Sequence, residues 1–206
     1  MIRIATEQDI PAILEIYGPY VQNTAISFEY TVPTLQEFTM RFRAITAQFP
    51  WLVWDENGKI LGYAYGSAPF ERAAFRWCSE ASIYLRPEAQ GKGIGKKLYA
   101  VLEEILRMQG YTKVYALVTS ANLPSVDFHL AVGYQLTATQ PNCGFKLGRW
   151  YGLHWLEKSL NFVEVPTKAP DSVKSIVDFD RKFLEILANL SLSKTKKIWY
   201  VMYGIL

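Results

Sequence analysis

The most informative stretch of the sequence is a glycine-rich loop between a predicted strand and a predicted helix. Ser79 to Leu85 has the composition of a strand, Arg86-Pro87 ends it, and Gln90-Gly-Lys-Gly-Ile-Gly95 follows. Glycines allow consecutive backbone N–H groups to converge, and the positive N-terminus of the next helix favours an anion. Positive charge is added by three lysines, Lys92, Lys96 and Lys97. The loop is therefore predicted to hold a pyrophosphate group.

Two better-known phosphate-binding loops do not match this stretch. A Walker loop has the pattern GxxxxGK followed by Ser or Thr, and Gly91-Lys-Gly93 lacks both the spacing and the hydroxyl. A dinucleotide-binding fingerprint follows the first strand of a βαβ unit, whereas this loop lies mid-chain after a predicted hairpin. A glycine-rich turn also occurs as a simple connector, so the loop alone leaves a structural role open.

The elements that must position the loop are predicted from apolar periodicity and turn residues. They are, in chain order, a strand at Ile2–Ile4, a helix from Ile10 that Gly18-Pro19 ends, a helix over Leu35–Gln48, a hairpin of Trp51–Trp54 and Ile60–Tyr65, the strand Ser79–Leu85, a helix from the loop to Gly110, a strand at Lys113–Val118, a helix at Ser125–Val132, and strands at Tyr134–Thr139 and Tyr151–Leu156. This order predicts a mixed α/β domain with one crossover through the helix that follows the loop.

Composition excludes several classes of protein. The chain has 206 residues, half of them hydrophobic, and a formal net charge of +3. That charge is too small to favour nucleic acid or an anionic membrane as a partner. Cys78 and Cys143 form no CxxC pair, so neither a disulfide framework nor a cysteine-based zinc site is expected. The charged N-terminus is unlike a signal peptide, and no apolar run reaches the ~20 residues of a membrane span. We therefore expect a cytoplasmic protein.

Composition changes near residue 160, which divides the chain into a domain of residues 1–160 and a C-terminal extension of residues 161–206. Asn161–Pro170 has the composition of a linker. An amphipathic helix is predicted from the apolar residues that follow it, Val173, Ile176, Val177, Phe183, Leu184, Leu187 and Leu190. The last nine residues, Ile198–Leu206, are mostly apolar and are expected to pack on this domain or on a second copy. A frayed end is the alternative.

Several motifs together resemble the GNAT superfamily of N-acetyltransferases. They are the Gln-x-x-Gly-x-Gly loop (Gln90, Gly93, Gly95), the strand Ile83-Tyr-Leu85 before it, and Asn122 after it. Trp77-Cys-Ser-Glu-Ala-Ser-Ile-Tyr84 and Gly144-Phe-Lys-Leu-Gly-Arg-Trp150 are more specific and resemble phosphinothricin and methionine sulfoximine acetyltransferases. The resemblance covers about Met1 to Leu160. It implies the GNAT acyl-CoA N-acyltransferase fold, a mixed and mostly antiparallel central sheet flanked by helices.

The resemblance implies that acetyl-CoA is the acetyl donor and indicates which residues hold it. The backbone of Ile83, Tyr84 and Leu85 would pair with the pantetheine arm. The pyrophosphate would lie on the loop residues Gln90, Gly91, Lys92, Gly93, Ile94, Gly95 and Lys96. Asn122 would contact the acetyl-CoA arm, and Ser125, at the start of the next helix, would assist. Read without the resemblance, Ile83–Leu85 is a core strand and the segment around Asn122 is an ordinary turn.

Two titratable residues are predicted to carry the chemistry. Glu80 would accept a proton from the attacking amine, directly or through one water, because an ammonium cannot attack a thioester. His129 lies where the family places a proton donor to the departing thiolate, and imidazole titrates near neutral pH. Both have structural alternatives: a glutamate read alone is usually on the surface, and a histidine is as often a core or capping residue. His154 is interpreted as structural.

The acceptor site is predicted from residues that suit a small anionic molecule. Arg72 would clamp a carboxylate or phosphinate, and Phe28 and Phe75 would form the walls. Lys146 and Trp150 would complete the pocket, from this subunit or a neighbouring one. The aromatic residues serve equally well as core packing. Gly152 replaces an aspartate that is common in this family motif, so no contact is expected there.

Together these features predict an enzyme that acetylates the α-amino group of a small amino acid such as phosphinothricin, methionine sulfoximine or methionine sulfone. Transfer would be direct in a ternary complex, since neither cysteine lies in an activating setting. No metal is implied, and a homodimer is expected. Two alternatives stay open: an acetyltransferase for protein N-termini or lysines, and an acyl-CoA-binding module without catalysis.

Overall fold

One sheet of seven strands forms the centre of the computed structural model, which describes residues 1–176 and 178–190. Its strands are β1 (Ile2–Ile4), β2 (Trp51–Glu56), β3 (Lys59–Ser67), β4 (Cys78–Leu85), β5 (Lys113–Thr119), β6 (Gln135–Lys146) and β7 (Arg149–Ser159). Their order in space is β1-β2-β3-β4-β5-β7-β6, and only the β4–β5 pair is parallel. The predicted mixed, mostly antiparallel sheet is confirmed.

Helices cover both faces of the sheet because strand side chains alternate between the faces. The helices are α1 (Ile10–Asn23), α2 (Leu35–Thr46), α3 (Ile94–Gln109), α4 (Leu123–Ala131) and α5 (residues 179–190). One core contains residues of α1 and α2, and the other contains the apolar stripe of α3. Gly110 ends α3 in the left-handed conformation, as predicted. α2 ends two residues earlier than predicted, and α4 begins two residues earlier, with Pro124 in its first turn.

The predicted break at Gly18-Pro19 is wrong, because α1 continues to Asn23 with Pro19 inside it. A proline in a helix interior normally costs about 3 kcal/mol, since it removes one hydrogen bond and crowds the preceding turn. Here the buried stripe of the helix continues to Val21, which is completely buried. Tertiary packing therefore outweighs the local cost of the proline.

The strands β6 and β7 are longer than predicted and form one hairpin. Their turn contains Leu147 and Gly148, both with positive φ, as a tight hairpin turn requires. The pairing is irregular between Gln140 and Gly144, where Pro141 and Asn142 interrupt the apolar alternation. That interruption explains why the sequence pattern predicted an end at Thr139.

The described part of the C-terminal extension packs on the α3 side of the sheet. Val173, Ile176, Phe183, Leu187 and Leu190 contact that core, as the amphipathic stripe predicted. Leu184 does not, since 65% of its surface is exposed. Val177 and Ile198–Leu206 lie outside the described residues. No helix among the residues described is long and apolar enough to span a membrane.

Candidate active site

A cleft opens where β4 and β5 separate. The two strands pair only from Cys78 to Glu80 and from Lys113 to Tyr115. Beyond that point β4 pairs only with β3, and β5 only with β7, among the strands described. The facing edges of both strands therefore present backbone N–H and C=O groups to the cleft, and such groups need a partner. An extended chain that carries amide groups can supply one.

Four of the predicted acetyl-CoA residues line this cleft. Its walls include Ile83 and Tyr84 from β4, together with Asn122, Ser125 and His129. The glycine loop and the N-terminus of α3 follow directly after β4. The cleft and the loop thus meet the separate needs of a pantetheine arm and of a pyrophosphate.

The glycine loop has the backbone conformation that its sequence predicts. Gly91 and Gly93 have φ of 71° and 74°, and no atom lies within 4 Å of a Cβ added at either position. Side chains are thus excluded there by conformation and not by space. Lys92 and Lys96 are exposed beside the loop. The loop therefore offers converging N–H groups and positive charge to an anion.

Two residues of the loop region have structural contacts that the sequence did not indicate. A Cβ at Gly95 would lie 3.2 Å from the Phe128 ring and 3.3 Å from Ile83, so glycine permits α3 to approach α4 closely. The Gln90 amide donates to the Tyr20 hydroxyl at 3.2 Å, and that hydroxyl donates to the Leu85 carbonyl at 2.5 Å. Gln90 thereby fastens the loop to the end of β4.

Glu80 lies at the point where the strands separate. Its neighbours in register are Ser67 on β3 and Tyr115 on β5. Burial raises the pKa of its carboxyl from the usual value to about 7. Within the part of the chain that the structure describes, no hydrogen bond or ion pair engages this carboxylate. A half-buried, unpaired carboxyl with a pKa near neutrality has the properties of a general base.

His129 is buried inside a hydrogen-bonded group. Its Nδ1 lies 2.6 Å from the Ser125 carbonyl, which can only accept, so Nδ1 carries the proton. Nε2 lies 2.9 Å from the Tyr99 hydroxyl and therefore accepts from it. Burial lowers the pKa of His129, which keeps the ring neutral at pH 7. The same hydroxyl lies 3.2 Å from the carbonyl of Ala81, at the start of the separated part of β4.

Tyr99 is the residue that sequence reasoning missed. It lies on α3 with only 1% of its surface exposed, and it lines the cleft beside His129. Burial raises its pKa well above the usual value, so its hydroxyl stays protonated. In the sequence Tyr99 is one more apolar position of an amphipathic helix, and nothing there marks its hydroxyl.

Lys146, which is predicted to complete the acceptor pocket, is buried, and its ammonium is bound by the protein itself. Its ammonium donates to the carbonyls of Val21 at 2.6 Å and Ser27 at 2.7 Å. Lys146 thus joins the end of β6 to the segment of residues 24–34 between α1 and α2, and it caps the last turn of α1.

Phe28 is held by residues of the Gly144–Trp150 motif, to which Lys146 also belongs. A Cβ at Gly144 would lie 2.5 Å from the Phe28 ring, so only glycine permits this contact. Tyr30 donates a hydrogen bond to the Phe145 carbonyl. We call Gly144, Phe145 and Lys146 the clamp, because all three hold the segment that carries Phe28.

Arg72 and Phe75 lie on the loop between β3 and β4, beside a cavity of about 440 Å³. Phe75 packs on Phe70 with ring centroids 4.5 Å apart, and Phe70 in turn packs on Tyr115. Arg72 is exposed, and no acidic partner is found for it among the residues described. Trp150 lies apart from these residues, at the tip of the β6–β7 hairpin, with 60% of its surface exposed.

Comparison with known proteins matches most of the chain to one protein family. Residues 2–155 match the profile of the acetyltransferase (GNAT) domain. The phosphinothricin N-acetyltransferase of Alcaligenes faecalis is 35% identical over 164 residues, which cover 78% of this chain and 82% of that protein. The L-methionine sulfoximine/L-methionine sulfone acetyltransferase of Pseudomonas aeruginosa is 37% identical, also over 164 residues, covering 78% of this chain and 94% of that one.

Two solved structures share the architecture. The phosphinothricin acetyltransferase of Sinorhizobium meliloti, crystallised with acetyl-CoA, is 35% identical with a TM-score of 0.77 and covers 87% of this chain and 96% of its own. The ribosomal-protein-alanine N-acetyltransferase of Brucella melitensis is 34% identical with a TM-score of 0.75 and covers 78% and 99%.

Proposed function

Because this chain belongs to the GNAT acetyltransferase family, we propose that it acetylates the α-amino group of a small anionic amino acid of the phosphinothricin or methionine sulfoximine type. The chain is an N-acetyltransferase with the GNAT fold, and acetyl-CoA is its acetyl donor. The observation that carries the proposal is Glu80, an unpaired carboxyl with a pKa of about 7 at the point where β4 and β5 separate.

We propose that Glu80 prepares the acceptor amine. An α-ammonium is mostly protonated at neutral pH, and its nitrogen has no lone pair for attack until a proton leaves. A carboxyl with a pKa of about 7 is ionised in about half of the molecules at neutral pH, and this ionised form can take up the proton. Acetyl-CoA supplies the activated acetyl group when bound. The unpaired N–H groups of β4 beyond Glu80 are placed to stabilise negative charge on the acetyl oxygen during direct attack.

We further propose that His129 acts through Tyr99. The neutral ring of His129 has no free donor, because Nδ1 donates to Ser125 and Nε2 accepts from Tyr99. The Tyr99 hydroxyl carries the one proton that it shares with Nε2 of His129, and rotation of the hydroxyl turns this proton from Nε2 towards the cleft. Tyr99 then donates that hydrogen bond to the departing thiolate, and His129 is a positioning residue.

A double-mutant cycle tests this pair. Tyr99→Phe and His129→Asn should each lower kcat about tenfold, and the double variant no further, because the two residues act as one unit. The KM for acetyl-CoA should change little, which separates this role from a loss of folding. A large loss in His129→Asn beside a fully active Tyr99→Phe would show that the histidine donates directly.

A second candidate acceptor is a protein N-terminus, which the likeness to the ribosomal-protein-alanine N-acetyltransferase favours. One reaction containing methionine sulfone and an alanine-initiated peptide at equal concentration distinguishes the two. We expect the amino acid to be acetylated first, because Arg72 offers a cation to a free carboxylate that a peptide lacks at that position. Preferential acetylation of the peptide would overturn the small-acceptor proposal.

We also propose a homodimer. The edge strand β6 is exposed along almost all of its length. At its end Phe145 and Trp150 pack edge to face, with centroids 5.3 Å apart, and are 46% and 60% exposed. Large exposed aromatic residues beside an open sheet edge favour association. Light scattering should give a dimer for the wild type and a monomer for Trp150→Glu; a monomeric wild type would contradict this assembly.

We place the enzyme in the cytoplasm. Acetyl-CoA is an intracellular metabolite, and both cysteines, Cys78 and Cys143, are free thiols. Free thiols are normal in a reducing compartment.

A further inference from the structure

We propose that the C-terminal extension forms a wall of the acceptor site and thereby limits which amino acids the enzyme accepts. This inference rests on the proposed function. The cavity of about 440 Å³ lies between two segments of the chain, the β3–β4 loop and the extension residues Ala169 and Pro170. Its volume is within the range of small-molecule sites.

Part of the cavity wall lies on the face of the sheet that carries Glu80. Cys78 lines it, and Glu80 is two residues further along β4 on the same face, about 7 Å away at the rise of a strand. Phe70 also lines the cavity, and its ring packs on Tyr115, which is the register partner of Glu80. A molecule in the cavity can therefore direct an amine towards Glu80.

The charges around the cavity suit an acceptor with one negative group. Arg72 lies on its wall with no acidic partner among the described residues. Arg76 also lines it, but its guanidinium packs over the Trp77 ring at 5.8 Å. Glu71 is the one carboxylate of the lining. The free cation at Arg72 fits a carboxylate or phosphinate, while Phe70 and Phe75 fit a methylene chain.

Two glutamines hold the extension in place at this wall. Gln109 donates to the carbonyl of Asp171 at 2.8 Å, and the Asp171 N–H donates back to the Gln109 carbonyl at 2.8 Å. Gln48 donates to the same Asp171 carbonyl at 3.2 Å, and its own carbonyl accepts from the Val173 N–H at 3.0 Å. This segment is therefore fixed to the ends of α2 and α3.

The β3–β4 loop is bonded to the extension as well. The Trp77 indole donates to the Lys168 carbonyl at 3.1 Å. The two sides of the cavity are thus tied to each other next to Ala169. Family similarity covers residues 2–155, so this wall is a feature that the family profile does not contain.

Ala169 gives the sharpest test because it is exposed and lines the cavity, so a larger side chain there fills space without disturbing a core. Ala169→Trp should raise the KM for methionine sulfoximine about tenfold, since the indole would occupy part of the space that the acceptor side chain needs. The KM for alanine should rise less, and the KM for acetyl-CoA should stay within about twofold. Val165→Trp is the control, because Val165 is on the same extension, 74% exposed and away from the cavity; it should change none of these.

Binding of methionine sulfoximine in the presence of CoA is measured beside turnover, by calorimetry on the full chain. If the wild type binds methionine sulfoximine and Ala169→Trp binds it more weakly, the wall is supported even without acetyl transfer. In that case only the proposed function fails. Equal binding and equal KM in Ala169→Trp and the wild type overturn the wall while leaving the proposed function intact. A wild type that does not bind the probe overturns both.

Discussion

Replacing Glu80 by Gln is expected to lower kcat/KM for the amino acid about 100-fold or more, because the amide cannot take the proton of the acceptor ammonium. The dissociation constant for acetyl-CoA should stay unchanged, since the backbone of β4 and the glycine loop are untouched. Steady-state CoA release and equilibrium titration measure the two quantities. Glu56→Gln is the matched control, because Glu56 is exposed in the β2–β3 hairpin and should be fully active.

The pH dependence of the wild type follows from the same carboxyl. Burial raises the pKa of Glu80 to about 7, and only the ionised form accepts a proton. The kcat/KM should therefore fall as the pH is lowered through 7, by about tenfold per unit well below it. A profile that stays level down to about pH 5 would contradict Glu80 as the base.

Glu80→Gln should lower activity but raise the stability of the fold above pH 7. The pKa of Glu80 is higher in the folded state than in the unfolded one, so its contribution to stability is fully present below the unfolded pKa and is lost as the pH rises through 7. Glutamine stays neutral and avoids that loss. Glu80→Gln should therefore have a higher Tm than the wild type at pH 8 but not at pH 4. An inactive variant that is also less stable at pH 8 would indicate a structural role for Glu80.

Replacing Lys146 by Met is expected to have the second-largest effect. Met has a similar length but no donor, so the carbonyls of Val21 and Ser27 lose their ammonium partner. A hydrogen bond to a charged group contributes about 2 to 3 kcal/mol, and part of this loss should appear as displacement of the segment that carries Phe28. We expect kcat/KM for the acceptor to fall about 30-fold, as 2 kcal/mol implies.

The role of Lys146 is identified by which kinetic constant changes in Lys146→Met. The acceptor KM should rise while the acetyl-CoA KM stays within about twofold, because the clamp lies away from the glycine loop. Gly144→Ala should reproduce the same pattern, since its Cβ would lie 2.5 Å from the Phe28 ring. Lys59→Met, at an exposed lysine, is the control. An acceptor KM that is unchanged in both clamp variants would remove Phe28 from the acceptor site.

The sequence predicted the fold well because the signals for its elements are local. The positive φ of Gly91 and Gly93, the strand before them and the apolar stripe of α3 are each encoded within a few residues. The sheet order follows from those elements and from the family resemblance. The helix end predicted at Gly18-Pro19 was wrong because burial of α1 outweighs the local cost of the proline, and this packing is not visible in the sequence.

The roles of individual side chains were less predictable because they depend on distant partners. Lys146 contacts carbonyls that precede it by more than 100 residues. From the sequence alone, a lysine in this motif therefore indicated an acceptor site and not a structural clamp. Tyr99 and His129 are 30 residues apart and meet only when α3 packs on α4. Glu80 was predicted to be the base from the motif around it, and burial raises its pKa to about 7.

The central claim is tested most directly by incubating the full-length protein with acetyl-CoA and either phosphinothricin or L-methionine sulfoximine, and by following CoA release together with the mass of the amino acid. The account predicts stoichiometric CoA release and one added acetyl group on the α-amine, with almost no product in Glu80→Gln. Acetyl-CoA binding without acetylation of either amino acid would contradict it.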